Sequence, residues 1–202
     1  MRHINSKRVS ATSRARQLAW GILVVFILLL FRCQRIEAAQ TDAPTEPEVK
    51  AAMIYNFAQF IEWPENEPKA PSSFAICVFG EDPIEPILES TVRGEVFQNR
   101  AVQVRRAASP VDAKACDIVF VTQSEKKRVP EFLEAVRGTR ALTIGDTEDF
   151  VALGGMIAFK KQGNRVRFQI NPDAATRAGL KISSKLLRLA ILQSDTGMKG
   201  GA

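Results

Sequence analysis

The central part of the chain opens with a segment whose apolar residues recur at helical spacing. Between residues 49 and 63 they return every three or four positions, which predicts an amphipathic helix with one buried face. A residue that precedes a proline is disfavoured in the helical region, so Pro64 predicts the end of this helix at Trp63. The predicted buried face consists of Val49, Met53, Phe57, Phe60 and Ile61.

Short apolar runs follow, separated by longer amphipathic segments. Runs of four to six apolar residues predict buried β-strands, here at 74–79, 118–121 and 141–144. Val102 and Val104 alternate with polar neighbours, which predicts another strand near 101–106. The segments between the strands predict helices at 83–91 and 125–137.

The last third of the chain begins with a predicted β-hairpin. Residues 156–159 are apolar, and apolar and polar residues alternate over 166–170. Gly163 and Asn164 lie between the two segments, and this residue pair is a strong turn signal.

Two helices are predicted after the hairpin. Asn171 followed by Pro172 is a preferred helix start, with a capping side chain and then a proline at the first helical position. Gly179 ends this helix, and a final helix is predicted from Ser183 or Ser184 to Leu192. Its predicted apolar stripe consists of Ile182, Leu186, Leu189 and Ala190.

This order of elements predicts an α/β fold. Apolar strands that alternate with helices before a terminal hairpin are typical of a single-domain sandwich in which helices flank a mixed β-sheet. We predict one domain at 49–192, preceded by a polar linker at 40–48 and followed by a disordered tail at 193–202.

The first 39 residues have the pattern of a secretory signal peptide. A basic segment precedes 14 uncharged residues at 18–31, and a small residue, Ala38, offers a cleavage site. An apolar run of this length is short for a membrane span, although an uncleaved N-terminal anchor remains the alternative. In both cases the domain is expected outside the cytoplasm, in an oxidising compartment.

Charge and histidine content exclude several classes of function. Residues 1–39 contain seven of the 28 Lys and Arg residues and one of the 22 Asp and Glu residues. The rest of the chain therefore has 21 basic and 21 acidic residues, and the net charge of +6 belongs to the leader. A neutral domain argues against nucleic-acid binding. The only histidine, His3, lies in the leader, which excludes histidine-based catalysis and zinc sites with histidine ligands. Phosphate-loop and dinucleotide motifs are also absent, so we predict no enzyme, cofactor or metal.

Cleavage after Ala38 removes Cys33 and leaves Cys77 and Cys116. An even number of cysteines in an exported protein favours a disulfide. Two buried free thiols are the alternative, because both cysteines adjoin apolar runs.

Five residues are candidates for binding a partner or ligand. Tyr55 and Trp63 are aromatic residues that could contact a partner, and core packing is the alternative role for both. Asn56 is unusual within a helix, because its side chain competes for backbone hydrogen bonds. Arg167 and Lys181 could converge with Asn56 on an anionic ligand, and isolated solvated charges are the alternative.

Four segments together resemble one known family. They are VKAAMIYNFAQFIEWP (49–64), GGMIAF (154–159), NRVRFQIN (164–171) and AGLKISSKLLRLA (178–190). In this order, the segments resemble the YfiR family, and the resemblance covers residues 49–192.

The resemblance implies a periplasmic, non-enzymatic repressor that forms a homodimer. Its partner would be the periplasmic sensor domain of an inner-membrane diguanylate cyclase, and an outer-membrane lipoprotein with a peptidoglycan-binding domain would sequester it. Cys77 and Cys116 match a disulfide pair of the best-known member, whereas 150–159 lacks the cysteines of that member's second pair. The alternative function is a periplasmic small-molecule sensor that acts with another membrane receptor, such as a histidine kinase.

Overall fold

The computed structural model describes residues 43–64 and 72–193. The predicted leader lies outside these residues, as does the predicted tail after Gln193. No helix within the described ranges is long and apolar enough to cross a membrane.

Five helices and ten strands make up the described part of the chain. The helices are α1 (Glu46–Gln59), α2 (Ile84–Thr91), α3 (Val129–Ala135), α4 (Pro172–Arg177) and α5 (Ser184–Leu187). The strands are β1 (Ile61–Glu62), β2 (Ser73–Phe79), β3 (Val96–Phe97), β4 (Arg100–Ala107), β5 (Ile118–Val121), β6 (Leu142–Gly145), β7 (Ile157–Gln162), β8 (Arg165–Ile170), β9 (Lys181–Ile182) and β10 (Ile191–Leu192). Short 3-10 helices occupy Asp112–Ala115 and Gln123–Arg128.

Eight of the strands form one mixed sheet in the order β10-β8-β7-β6-β5-β2-β4-β3. The five strands from β7 to β4 in this order are parallel to one another. The antiparallel pairs β7–β8 and β3–β4 lie towards its two edges. The predicted α/β sandwich with a mixed sheet is therefore confirmed.

Helices cover both faces of the sheet. On one face, α1 and α2 pack on strand residues such as Ile76 and Phe120. On the other face, α3 packs on residues such as Cys77 and Val119. The central strands β2, β5 and β6 are buried along their whole length and mostly apolar, because helices cover both of their faces.

The first helix starts earlier and ends earlier than the sequence pattern predicted. Glu48 Oε2 accepts hydrogen bonds from the backbone N–H and the hydroxyl of Thr45, which fixes the start at Glu46 within the predicted linker. The helix ends at Gln59, because β1 follows and pairs with β9 in a separate two-stranded sheet. This pairing overrides the helical periodicity that continues to Trp63.

Two other predicted helices are shorter than expected. The segment predicted as a helix at 125–137 is a 3-10 helix up to Arg128 and an α-helix only over α3. The final helix, expected to reach Leu192, ends at Leu187. Residues 191–192 instead pair with β8 as an edge strand, and Leu189 is exposed rather than part of a buried stripe.

A disulfide between Cys77 and Cys116 joins β2 to the segment just before β5. Both cysteines are buried, and their Cα atoms lie 6.0 Å apart. The bridge thus links two neighbouring central strands on the face that α3 covers.

Candidate functional site

Two concave sites lie at opposite ends of β6, and the segment 146–155 contributes residues to both. This segment is anchored by Phe150, whose side chain is fully buried. A Cβ atom built on Gly145 or on Gly155 would lie only 2.2 Å from an atom of the Phe150 ring. Both positions therefore need glycine, because the ring occupies the space that a side chain would take.

The first site is a charged cleft of about 450 Å³ after the carboxyl ends of β5 and β6. In parallel α/β sheets this end of the strands is the usual place for ligands. Lys50 Nζ lies 2.8 Å from Asp146 Oδ1 and 2.8 Å from Glu46 Oε1, and Lys161 Nζ lies 2.9 Å from Glu46 Oε2. Opposite charges therefore neutralise one another inside this cleft.

Burial and ion pairing shift the pKa values of these groups. Burial raises the pKa of Asp146, and the neighbouring Lys50 ammonium limits the rise. Burial also acts to lower the pKa of Lys50, but its hydrogen bonds to Asp146 and Glu46 outweigh burial and the pKa is raised. Hydrogen bonds from Lys50 and Lys161 lower the pKa of Glu46 to about 2. The cleft is thus a set of paired charges at neutral pH.

Acidic residues after β6 do not form a metal centre. Asp146 accepts a hydrogen bond from Lys50, which occupies the carboxylate that a cation would need. Within 43–64 and 72–193, no group of three or more His, Cys, Asp or Glu side chains is placed to hold a metal ion.

The second site is an open cavity of about 570 Å³ beside the start of β6, with polar and apolar surface in similar amounts. We call it the apolar cavity after the apolar side chains among its lining. Apolar side chains and two threonines form most of its wall, and two arginines supply its charge. The lining residues are Leu133, Val136, Arg137, Gly138, Thr139, Ala141, Thr143, Leu153, Gly154, Met156, Ala174, Arg177 and Ala178.

The two aromatic candidates, Tyr55 and Trp63, are both partly buried. The Tyr55 hydroxyl donates a hydrogen bond to Glu95 Oε2 at 2.7 Å, which raises the pKa of the phenol. The Trp63 ring packs edge-on against Phe74 and Phe97, with centroid distances of 5.5 and 6.4 Å. Trp63 thus packs against the core, and a direct partner contact through either residue stays a prediction.

The three polar candidates, Asn56, Arg167 and Lys181, are exposed on separate elements. Lys181 lies 3.8 Å from Glu62 in an exposed ion pair between β9 and β1. None of the three candidates lines the charged cleft or the apolar cavity. The structure therefore does not gather them around either concave site, and a ligand contact through any one of them stays a prediction.

Three exposed apolar residues, which the sequence pattern did not reveal, lie on or next to β10 at one edge of the sheet. Leu189, Ile191 and Leu192 are 61 %, 46 % and 58 % exposed. An edge strand also presents backbone N–H and C=O groups that have no partner strand on their outer side. We call these three residues the β10 patch.

Within residues 43–64 and 72–193, the chain is a three-layer α/β domain with an internal disulfide, concave sites at both ends of β6 and exposed apolar residues at the β10 edge. The chain belongs to the YfiR/HmsC-like family (DUF4154), which it matches over residues 47–191. This match covers nearly all of the described domain and confirms the family resemblance.

Solved structures resemble this chain at low sequence identity. A conserved domain protein from Vibrio cholerae O1 biovar eltor has a TM-score of 0.51 and 12 % identity, over 75 % of this chain and 60 % of that one. An ABC domain from Streptococcus pneumonia in complex with L-Trp has a TM-score of 0.48 and 12 % identity, over 70 % of this chain and 59 % of that one. The chain thus spans about three fifths of either protein, and the first likeness concerns the fold alone.

Proposed function

We propose that this protein is a periplasmic, non-enzymatic regulator that binds the periplasmic sensor domain of an inner-membrane diguanylate cyclase and holds the enzyme inactive. The family match over residues 47–191 carries this proposal. The disulfide supports it, because disulfides persist in oxidising compartments such as the periplasm. Export would depend on the leader at 1–39, and assembly as a homodimer is part of the same proposal.

Repression of this kind is a shift between two states of the cyclase. The regulator lowers activity only if it binds the inactive sensor conformation more tightly than the active one. An outer-membrane lipoprotein with a peptidoglycan-binding domain would relieve repression by competing for the regulator. Both partners would then contact surfaces that the regulator exposes.

We assign the cyclase contact to the β10 patch. Large apolar side chains that are exposed close together mark interaction sites, because their burial against a partner is favourable. A partner segment can also pair with the free backbone edge of β10. Leu192 and Val96 offer a matched comparison, since they are 58 % and 61 % exposed on two-residue strands at opposite edges of the sheet.

The first experiment measures intracellular cyclic di-GMP after deletion of the gene. The proposal predicts a rise in cyclic di-GMP, reversed by a copy that carries the leader but not by a copy without it. An unchanged level would contradict the repressor role.

The second experiment locates the contact with Leu192→Lys and Val96→Lys in the complementing copy. Loss of a central apolar contact weakens binding by about 2 kcal/mol, or about thirtyfold. Leu192→Lys should therefore leave cyclic di-GMP high, whereas Val96→Lys should restore the low level. Equal periplasmic amounts of both variants, measured by immunoblot, are the control for folding. Full repression by Leu192→Lys would exclude the β10 patch as the contact.

A second candidate function is a periplasmic small-molecule sensor that acts with another membrane receptor, such as a histidine kinase. The apolar cavity favours this candidate, because its volume lies within the range of about 300–1,000 Å³ that is typical of small-molecule sites.

A further inference from the structure

The apolar cavity combines a hydrophobic wall with positive charge. Val136, Ala141, Met156 and Ala174 are buried wall residues, so the wall itself is well packed. Leu153 also lines the cavity, yet 49 % of its surface is exposed. A ligand with an apolar body would cover this exposed leucine surface, and its burial would favour binding.

The charges on the cavity wall all have the same sign. Arg137 and Arg177 line the cavity, and no Asp or Glu is among its lining residues. Arg137 forms an ion pair with Glu134, but both side chains are largely exposed, and such pairs contribute little stability. A carboxylate, sulfonate or phosphate group can therefore compete with Glu134 for the Arg137 guanidinium group, and at Arg177 it would compete with the interaction that this residue makes within the chain. Guanidinium groups suit such anions, because their planar N–H donors match two oxygen atoms at once.

The residues of this wall are held in place by the fold. Arg137 follows the end of α3, and Arg177 is the last residue of α4. Leu153 and Gly154 belong to the segment that Phe150 anchors between its two glycines. Three separately packed elements therefore fix the backbone of the cavity wall, whereas the largely exposed Arg137 side chain must become ordered when a ligand binds.

We propose that this cavity binds a small organic anion that carries an apolar body, with Arg137 and Arg177 contacting the anionic group and Leu153 covering the apolar part. The proposal deepens the second candidate function and rests on it. It is independent of cyclase repression, so a binding test and the cyclic di-GMP measurement can fail separately.

The test uses two fluorescent probes that share one type of apolar ring system. One is 8-anilinonaphthalene-1-sulfonate, which is an anion, and the other is the uncharged N-phenyl-1-naphthylamine. Both are titrated into the purified chain with its disulfide intact, at constant ionic strength. We expect the anionic probe to bind with one site per chain and more tightly than the neutral one.

Variants of the lining residues separate charge from apolar contact. Loss of a hydrogen bond to a charged group costs about 1.5–3 kcal/mol, which corresponds to at least tenfold weaker binding. Arg137→Gln and Arg177→Gln should each weaken binding of the anionic probe by about tenfold and leave the affinity for the neutral probe unchanged. Leu153→Ala should weaken the binding of both probes.

Arg93→Gln is the matched control, because Arg93 is exposed, lies outside the cavity lining and is not a candidate ligand contact. It should leave both affinities unchanged. The proposal is overturned if the wild-type chain does not bind the anionic probe, or if Arg93→Gln weakens binding of this probe as much as the cavity variants do. It is also overturned if the double variant of Arg137 and Arg177 binds the anionic probe as tightly as the wild type. Unchanged thermal unfolding midpoints would show that the variants remain folded.

Discussion

Replacing Gly145 with alanine tests how tightly Phe150 is held at the centre of the site region. The new Cβ atom would lie 2.2–2.6 Å from three ring carbons of Phe150, whereas ordinary contacts begin at 3.4 Å. The ring must therefore move by about 1.2 Å or the end of β6 must shift. A Cβ atom built on Gly155 would lie equally close to the same ring, so the backbone at Gly155 limits how far the ring can move.

The expected loss of stability follows from this geometry. Overpacking a rigid core by one methyl group lowers the free energy of unfolding by about 1–3 kcal/mol. Because the Phe150 ring is fully buried and has little room to move, we expect Gly145→Ala to lie at the upper end, at about 3 kcal/mol. Phe150→Ala removes the ring and costs about 3–5 kcal/mol. In the Phe150→Ala background the added methyl group fits into vacated space, so Gly145→Ala should cost about 0 kcal/mol there.

The assay is equilibrium unfolding in guanidinium chloride of the wild type, both single variants and the double variant. Gly154→Ala is the control, because Gly154 has a φ of +104° and open space at its Cβ position. Its cost, about 1–2 kcal/mol, comes from the backbone and should be equal with and without the Phe150 ring. If Gly145→Ala costs the same in both backgrounds, or less than about 1 kcal/mol in the wild type, the steric argument is wrong.

Two further predictions concern the disulfide and the charged cleft. Replacing Cys77 and Cys116 with alanine should lower the free energy of unfolding by about 4 kcal/mol, because the disulfide closes a loop across a separation of 39 residues. An unchanged unfolding midpoint in guanidinium chloride would show that the disulfide does not stabilise the domain in this way. Glu46 has a folded pKa of about 2 against an ordinary value of 4.5, so its contribution to stability is complete above pH 4.5 and is lost as the pH falls towards 2. Glu46→Gln should therefore lower the free energy of unfolding at pH 7 by about 1 kcal/mol or less, since the ion pairs of Glu46 are partly exposed. In urea unfolding, the difference in stability between this variant and the wild type should narrow between pH 4.5 and 2. A difference that does not change with pH would show that the Glu46 carboxylate does not cause it.

The sequence pattern predicted the central elements well, because their signals are local. The apolar runs of β2, β5 and β6 mark strands buried on both faces, and Gly163 with Asn164 marks the turn between β7 and β8. Asn171 caps α4 as predicted, since its side chain accepts a hydrogen bond from the N–H of Ala174. Each of these features depends on residues close together in the chain.

The two-residue strands could not be predicted in the same way. Ile61 pairs with Ile182, and Ile191 pairs with Gln169. A strand of two residues has no periodicity of its own, so only the distant partner shows that it exists. The exposure of Leu192 follows from this pairing, because the final helix was expected to continue through it.

The concave sites were missed for a related reason. Lys50 and Asp146 meet across 96 residues of sequence, and Arg137 reaches the same cavity as Arg177 only after the sheet has formed. Neither arginine was singled out, because isolated charges in a polar surface segment carry no local signal. The spacing of Gly145, Phe150 and Gly155 was visible, but only the packed structure shows why glycine is needed at both positions.

The contacts of α1 have a consequence for the time at which the chain can fold. The ring of Phe57 packs against Phe159 and Phe168 on β7 and β8, and Lys161 reaches back across 115 residues to Glu46. A nascent chain that lacks β7 and β8 leaves this part of its first helix uncovered, and contacts so distant in sequence form late. The domain therefore completes its core only after nearly the whole chain has been synthesised, so a shorter nascent chain lacks the strands that hold this face of α1.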